Sequence, residues 1–119
     1  MSKTAPFKGI CTALVTPMNR DGSVDYISFK KLINFQLAAK IPALLFLGTT
    51  GEAPTISPTE KREIVKFAVK EVAGRAKIII GIGGNNPADI IDFGKWLASL
   101  RGALATRQSR PAFSAPIDF

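Results

Sequence analysis

The chain reads as a parallel α/β protein built from repeated strand–helix units. Three apolar runs, at residues 10–16, 43–47 and 77–82, begin about 33 residues apart, a usual length for a βαβ repeat. The second and third are continuously apolar rather than alternating, the pattern of strands covered on both faces. The intervening stretches carry helical periodicity and capping residues, so strand–helix order with right-handed crossovers follows. An open doubly wound sheet and a (β/α)8 barrel share this grammar, and the spacing does not separate them.

Each helix has a start signal. Asp25 can cap a helix over 26–39, with Phe29, Leu32, Ile33 and Leu37 on one side. Ser57-Pro58-Thr59-Glu60 is a complete capping box with proline at the first helical position. The helix it opens has Ile64, Phe67, Ala68 and Val72 in one stripe and should stop at Gly74. Asn86-Pro87 opens a third helix, with Ile90, Ile91, Gly94, Leu97 and Leu100 facing inward.

After Leu100 the pattern fails. A fourth strand is due, yet residues 101–119 hold no apolar run longer than three and are broken by two prolines and three arginines. The expected organisation is one partial domain over 1–100. The tail at 101–119 is expected to be foreign to the fold, as after a frameshift, and disordered.

Composition narrows the function classes. The 119 residues allow one domain, and 46% apolar content places the chain among globular proteins. The single cysteine, Cys11, cannot form an internal disulfide; it reads as a small core residue in a reducing cytoplasm. The opening residues lack a secretion signal, and no apolar run approaches the roughly 18 residues that span a membrane. The net charge of +7 suggests nucleic acid at first sight. The charges are spread along helix faces, with no basic block and no aromatic-plus-basic strand, so a solvated surface is the better reading.

Chemistry concentrates at Gly48-Thr49-Thr50-Gly51-Glu52, between a buried strand and a capped helix. The glycines let the backbone turn tightly and approach a ligand. Successive backbone N–H groups in such a turn can cradle a carboxylate, and two hydroxyls that donate and accept can pass a proton along. An ordinary strand–helix turn, whose threonines only satisfy backbone groups, is the competing reading.

The 18 residues from Ala43 through Glu60 resemble the first signature of the dihydrodipicolinate synthase / N-acetylneuraminate lyase family. Residues 6–25 are similar to the family's opening strand and loop, and Ile80-Gly81-Ile82-Gly83-Gly84-Asn85-Asn86 to its third strand and following loop. The resemblance covers roughly residues 5–100 and implies the first three βα units of a (β/α)8 TIM barrel, incomplete. Members act on pyruvate through a Schiff base on a lysine, with no cofactor or metal. Gly-Thr-Thr-Gly-Glu looks like the synthase branch, which condenses pyruvate with aspartate semialdehyde towards diaminopimelate and lysine. Sialic acid lyases more often show Gly-Ser-Thr-Gly-Glu.

Carried over by motif, Thr50 binds the pyruvate carboxylate through hydroxyl and amide. Thr49 sits in a proton relay between two tyrosines, and Glu52 braces the loop beside Gly48 and Gly51. The family's Schiff-base lysine and relay tyrosines belong to later strands with no counterpart here. Tyr26 is the only tyrosine and opens a helix, and Lys77 begins its strand. The resemblance therefore implies a fragment that is inactive on its own. Full-length relatives are homo-oligomers, but this gives no oligomeric state for the fragment. The allosteric lysine site of some members is poorly matched: Asn85 and Asp89 suit it, whereas Pro58 and Lys61 do not. Two alternatives are a non-catalytic module holding a carboxylate or phosphate, and a fragment of a related aldolase such as N-acetylneuraminate lyase.

Overall fold

The computed structural model describes residues 8–107 and 117–118. Four parallel strands lie in the order β1-β2-β3-β4: β1 (Cys11–Ala13), β2 (Ala43–Phe46), β3 (Lys77–Gly81) and β4 (Ile117–Asp118). The helices α1 (Tyr26–Ala38), α2 (Pro58–Val72) and α3 (Pro87–Arg107) connect them. Pairing is in sequence order, with Cys11 beside Ala43 and Ala43 beside Lys77.

Alternation along the strands decides where the core sits. Leu44 and Phe46 on β2, with Ile78 and Ile80 on β3, face the helices and meet Phe29, Ile33, Ile64, Val65, Ala68, Val72 and Leu97. Phe29 anchors the layer, its ring centroid 5.9 Å from that of Phe46 and 5.7 Å from that of Phe67. The opposite sheet face carries a small cluster of Ala43, Ile79 and half-buried Leu45. Apolar residues on both faces are what the continuous runs required.

Both strong caps form. The Ser57 hydroxyl accepts from the Glu60 amide at 3.2 Å, and the Glu60 carboxylate accepts from the Ser57 amide at 3.3 Å. Ser57→Ala should lower stability by about 1 kcal/mol, the usual worth of such a cap, read as a shift in the urea midpoint. Asp25 accepts from the Ser28 amide at 3.1 Å and the Ser28 hydroxyl at 2.6 Å. The hydroxyl first, then the amide, holds its carboxyl below the ordinary 3.8. A lowered carboxylate stabilises the fold above its unfolded value, and the contribution disappears as pH falls through the folded value. An acid scan from about pH 5 downward should therefore lose stability less steeply in Asp25→Asn than in the parent chain.

Several expectations are corrected. Cys11 is exposed, because β1 is an edge strand and places that side chain away from the helices. Ile91 is 55% exposed; the register of α3 turns Ile90, Phe93, Leu97 and Leu100 towards the core instead. α3 runs past Leu100 to Arg107, with no proline before Pro111 and with Ala103, Leu104 and Ala105 offsetting the weak helix former Gly102. No apolar run predicts a strand within 101–119, yet Ile117–Asp118 pairs with Ile80–Gly81. Two rungs of ladder need only backbone groups, so side-chain patterning does not announce them. Residues 108–116 and Phe119, on which the expectation of a disordered tail also falls, lie outside the described residues.

Candidate functional site

β2 ends at Phe46, and the chain turns at once. Leu47 adopts a left-handed backbone (φ 60°) although its side chain is buried. The Gly51 amide then donates to the Gly48 carbonyl at 3.1 Å, and the Glu52 amide to the Thr49 carbonyl at 3.0 Å. These overlapping turns leave the Thr49 and Thr50 amides with no acceptor among the described residues. Both threonine side chains are exposed, and neither hydroxyl has a hydrogen-bond partner among those residues. Two adjacent unengaged N–H groups and two hydroxyls thus lie on exposed residues beyond the C-terminal end of β2. That set can hold a small anion.

Glu52 braces this turn through its backbone. It is left-handed (φ 58°), and its carbonyl accepts from the Thr55 amide at 2.9 Å and the Thr55 hydroxyl at 2.8 Å. The short 3-10 turn Ala53–Thr55 follows and hands the chain to the Ser57 cap of α2. The Glu52 side chain itself is exposed.

Two flanking strands set the height of the turn. Gly81, on β3, lies under Leu47: a Cβ there would collide with the Leu47 carbonyl oxygen, with the Leu47 carbonyl carbon at 2.9 Å and Gly48 Cα at 3.1 Å. On the other side Gly51 rests against the end of β1, where its absent Cβ would stand 3.2 Å from Thr16 Oγ1 and 3.3 Å from the Leu14 carbonyl oxygen. Sequence reasoning marks neither Gly81 nor Thr16 as a site residue. Gly81 leaves a faint signal, the one interruption in an otherwise apolar run. Thr16 leaves none.

A second concavity, of about 440 Å3, lies between the N-termini of α2 and α3. It gathers Pro58, Lys61, Asn85 and Asp89, the four positions set against the allosteric lysine site, together with Arg62 and Asp92. Arg62 lies 5.4 Å from the Trp96 ring centroid, a cation–π contact that holds the guanidinium at the helix surface.

Among the described residues no lysine stands at the C-terminal end of a strand; Lys77 opens β3. Tyr26 lies at the start of α1 against Phe67, with ring centroids 4.8 Å apart, well separated in sequence from the turn. Burial, then Glu63 and Glu60, raises its phenol above the usual value. Among the described residues no three metal-ligating side chains come together. No helix there is long and apolar enough to cross a membrane.

A parallel sheet backed by helices, with a glycine-bracketed turn carrying two exposed hydroxyls at a strand's C-terminal end, defines a parallel α/β protein. Residues 6–110 match the Dihydrodipicolinate synthetase family, and the chain belongs to that family. The match extends ten residues past Leu100, the point at which the strand–helix pattern fails in the sequence. The chain is 40% identical over 111 residues to 4-hydroxy-tetrahydrodipicolinate synthase of Methylibium petroleiphilum, covering 93% of this chain and 38% of that protein. The crystal structure of dihydrodipicolinate synthase from Thermotoga maritima superposes with a TM-score of 0.75 at 34% identity, over 81% of this chain and 32% of that one. N-acetylneuraminate lyase from Mycoplasma synoviae gives a TM-score of 0.73 at 30% identity, over 80% and 33%. The chain therefore spans well under half the length of these relatives.

Proposed function

We propose that this chain carries the carboxylate-gripping part of a Schiff-base lyase of the 4-hydroxy-tetrahydrodipicolinate synthase type, acting on pyruvate in lysine and diaminopimelate biosynthesis in the cytoplasm. Its three helix-linked strands correspond, in this reading, to the first units of a (β/α)8 barrel. The observation that carries the proposal is the solvent-facing Thr49–Thr50 turn with its two unengaged amides. Thr50 holds the keto acid's carboxylate through amide and hydroxyl. Thr49, whose hydroxyl can both donate and accept, relays a proton. Gly48, Gly51 and Glu52 shape the loop.

The chain alone does not complete the reaction. A Schiff base needs an amine that loses its proton near neutral pH, through desolvation or a neighbouring cation, next to the bound keto group. None of the described lysines stands beyond a strand end beside the turn. The synthase reading is preferred to the N-acetylneuraminate lyase one on the Gly-Thr-Thr-Gly-Glu sequence of the loop.

Calorimetric titration with pyruvate, paired with borohydride trapping and mass spectrometry, tests both halves. The expected result is binding weakened about tenfold or more in Thr50→Ala, the worth of a hydrogen bond to a charged acceptor, with no lysine adduct. A trapped adduct overturns the inactivity of the isolated chain. Equal affinity for inorganic phosphate, with no preference for the keto acid, favours a plain anion-binding module.

A further inference from the structure

Thr16 is the one polar residue among the described residues whose side chain is buried, at 4% exposure. It stands three residues past β1, at the same end of the sheet as the Thr49–Thr50 turn. Its Oγ1 faces Gly51, 3.2 Å from where a side chain on that residue would begin. The Leu14 carbonyl oxygen and the Leu47 amide nitrogen close the same small space, each at 3.3 Å from that point. Yet the Thr16 hydroxyl has no hydrogen-bond partner among the described residues. No fully enclosed polar side-chain atom there lacks a partner, so part of the little exposure Thr16 keeps falls on this oxygen. A hydroxyl so nearly enclosed gives up most of its hydration without a protein partner in return. Valine would fill the same volume without that penalty.

A hydroxyl with no protein partner among the described residues, packed against the backbone of the turn, can donate to that backbone when the turn moves. We infer that Thr16 is a positioning residue for the carboxylate turn: its hydroxyl donates to a carbonyl oxygen of the 48–52 backbone once the turn closes on an anion, and so fixes the direction of the Thr50 amide. The inference rests on the proposed pyruvate site and adds a residue to it. Thr16 acts through the turn and does not touch the keto acid. The glycine at 51 is part of the same device, since any side chain there would separate hydroxyl from backbone.

The test uses the full chain with Thr16→Val, which keeps the shape and removes the hydroxyl, and Thr16→Ser, which keeps the hydroxyl. Thermal unfolding is followed with and without pyruvate, alongside calorimetric titration. The valine variant should match or exceed the parent's unliganded midpoint, bind pyruvate about tenfold more weakly, and show a smaller pyruvate-induced rise in midpoint. The serine variant should bind like the parent. If Thr16→Val lowers the unliganded midpoint and leaves affinity intact, the hydroxyl is structural and the inference is overturned. If affinity falls in Thr50→Ala but not in Thr16→Val, the pyruvate site stands and the role of Thr16 fails. A parent chain that binds no pyruvate overturns both.

Discussion

Gly81→Ala is expected to displace the Thr49–Thr50 turn and abolish the anion binding proposed for it, with a stability loss of about 3 kcal/mol, at the upper end for overpacking. The new Cβ would meet the Leu47 carbonyl oxygen and carbon, and Gly48 Cα beyond them. All of these are backbone atoms, so no rotamer change relieves the clash. Leu47 already holds a left-handed conformation, which leaves its carbonyl little freedom to swing aside. Either β3 separates locally from β2 or the turn lifts. Urea denaturation and a pyruvate titration on the same variant distinguish these outcomes. A lifted turn costs binding within that loss of stability, and a broken ladder costs binding and more stability still. Retention of both properties would show that β3 does not set the height of the loop.

Phe29→Ala should be the most destabilising truncation of the helical layer, at about 3–5 kcal/mol. Phe29 is 1% exposed and sits between Phe46 on the sheet and Phe67 on α2, so its removal opens a cavity touching three elements. Phe67→Ala should cost less, because that ring is only half-buried and its neighbour Tyr26 can lean into the gap. Urea midpoints for the pair give the order. A larger loss in Phe67→Ala would mean that α1 is held to α2 more strongly than to the sheet. The ion pair between these helices, Lys30 to Glu71 at 3.8 Å, contributes little by comparison, since Lys30 is largely solvated.

Local signals carry much of this architecture. Ser57-Pro58-Thr59-Glu60 announces a helix start because every group in the box lies within four residues, and the structure forms both of its reciprocal hydrogen bonds. The continuous apolar runs announce parallel strands because both faces of β2 and β3 are apolar. The Gly48–Glu52 segment announces a turn because its own residues make it. What escapes depends on what lies across the sheet. Thr16 and Gly81 matter only through the backbone of Gly51 and Leu47, distant in sequence. Cys11 reads as core until β1 is known to be an edge. Ile91 depends on the rotational setting of α3, which one residue of register reverses. Ile117–Asp118 forms strand by borrowing β3's free backbone groups, and side-chain patterning has nothing to say about that.

The strictly sequential strand order has a further implication, for how the chain acquires its shape during synthesis. Every rung joins a strand to the one made immediately before it, so no segment has to wait for a distant later one before pairing begins. Growth of the layer can keep pace with the ribosome, each new helix sealing the strand that precedes it. The turn at residues 48–52 acquires its final height only when β3 emerges and slides Gly81 beneath Leu47. A nascent chain released before residue 81 would then hold its first helices and lack a finished turn.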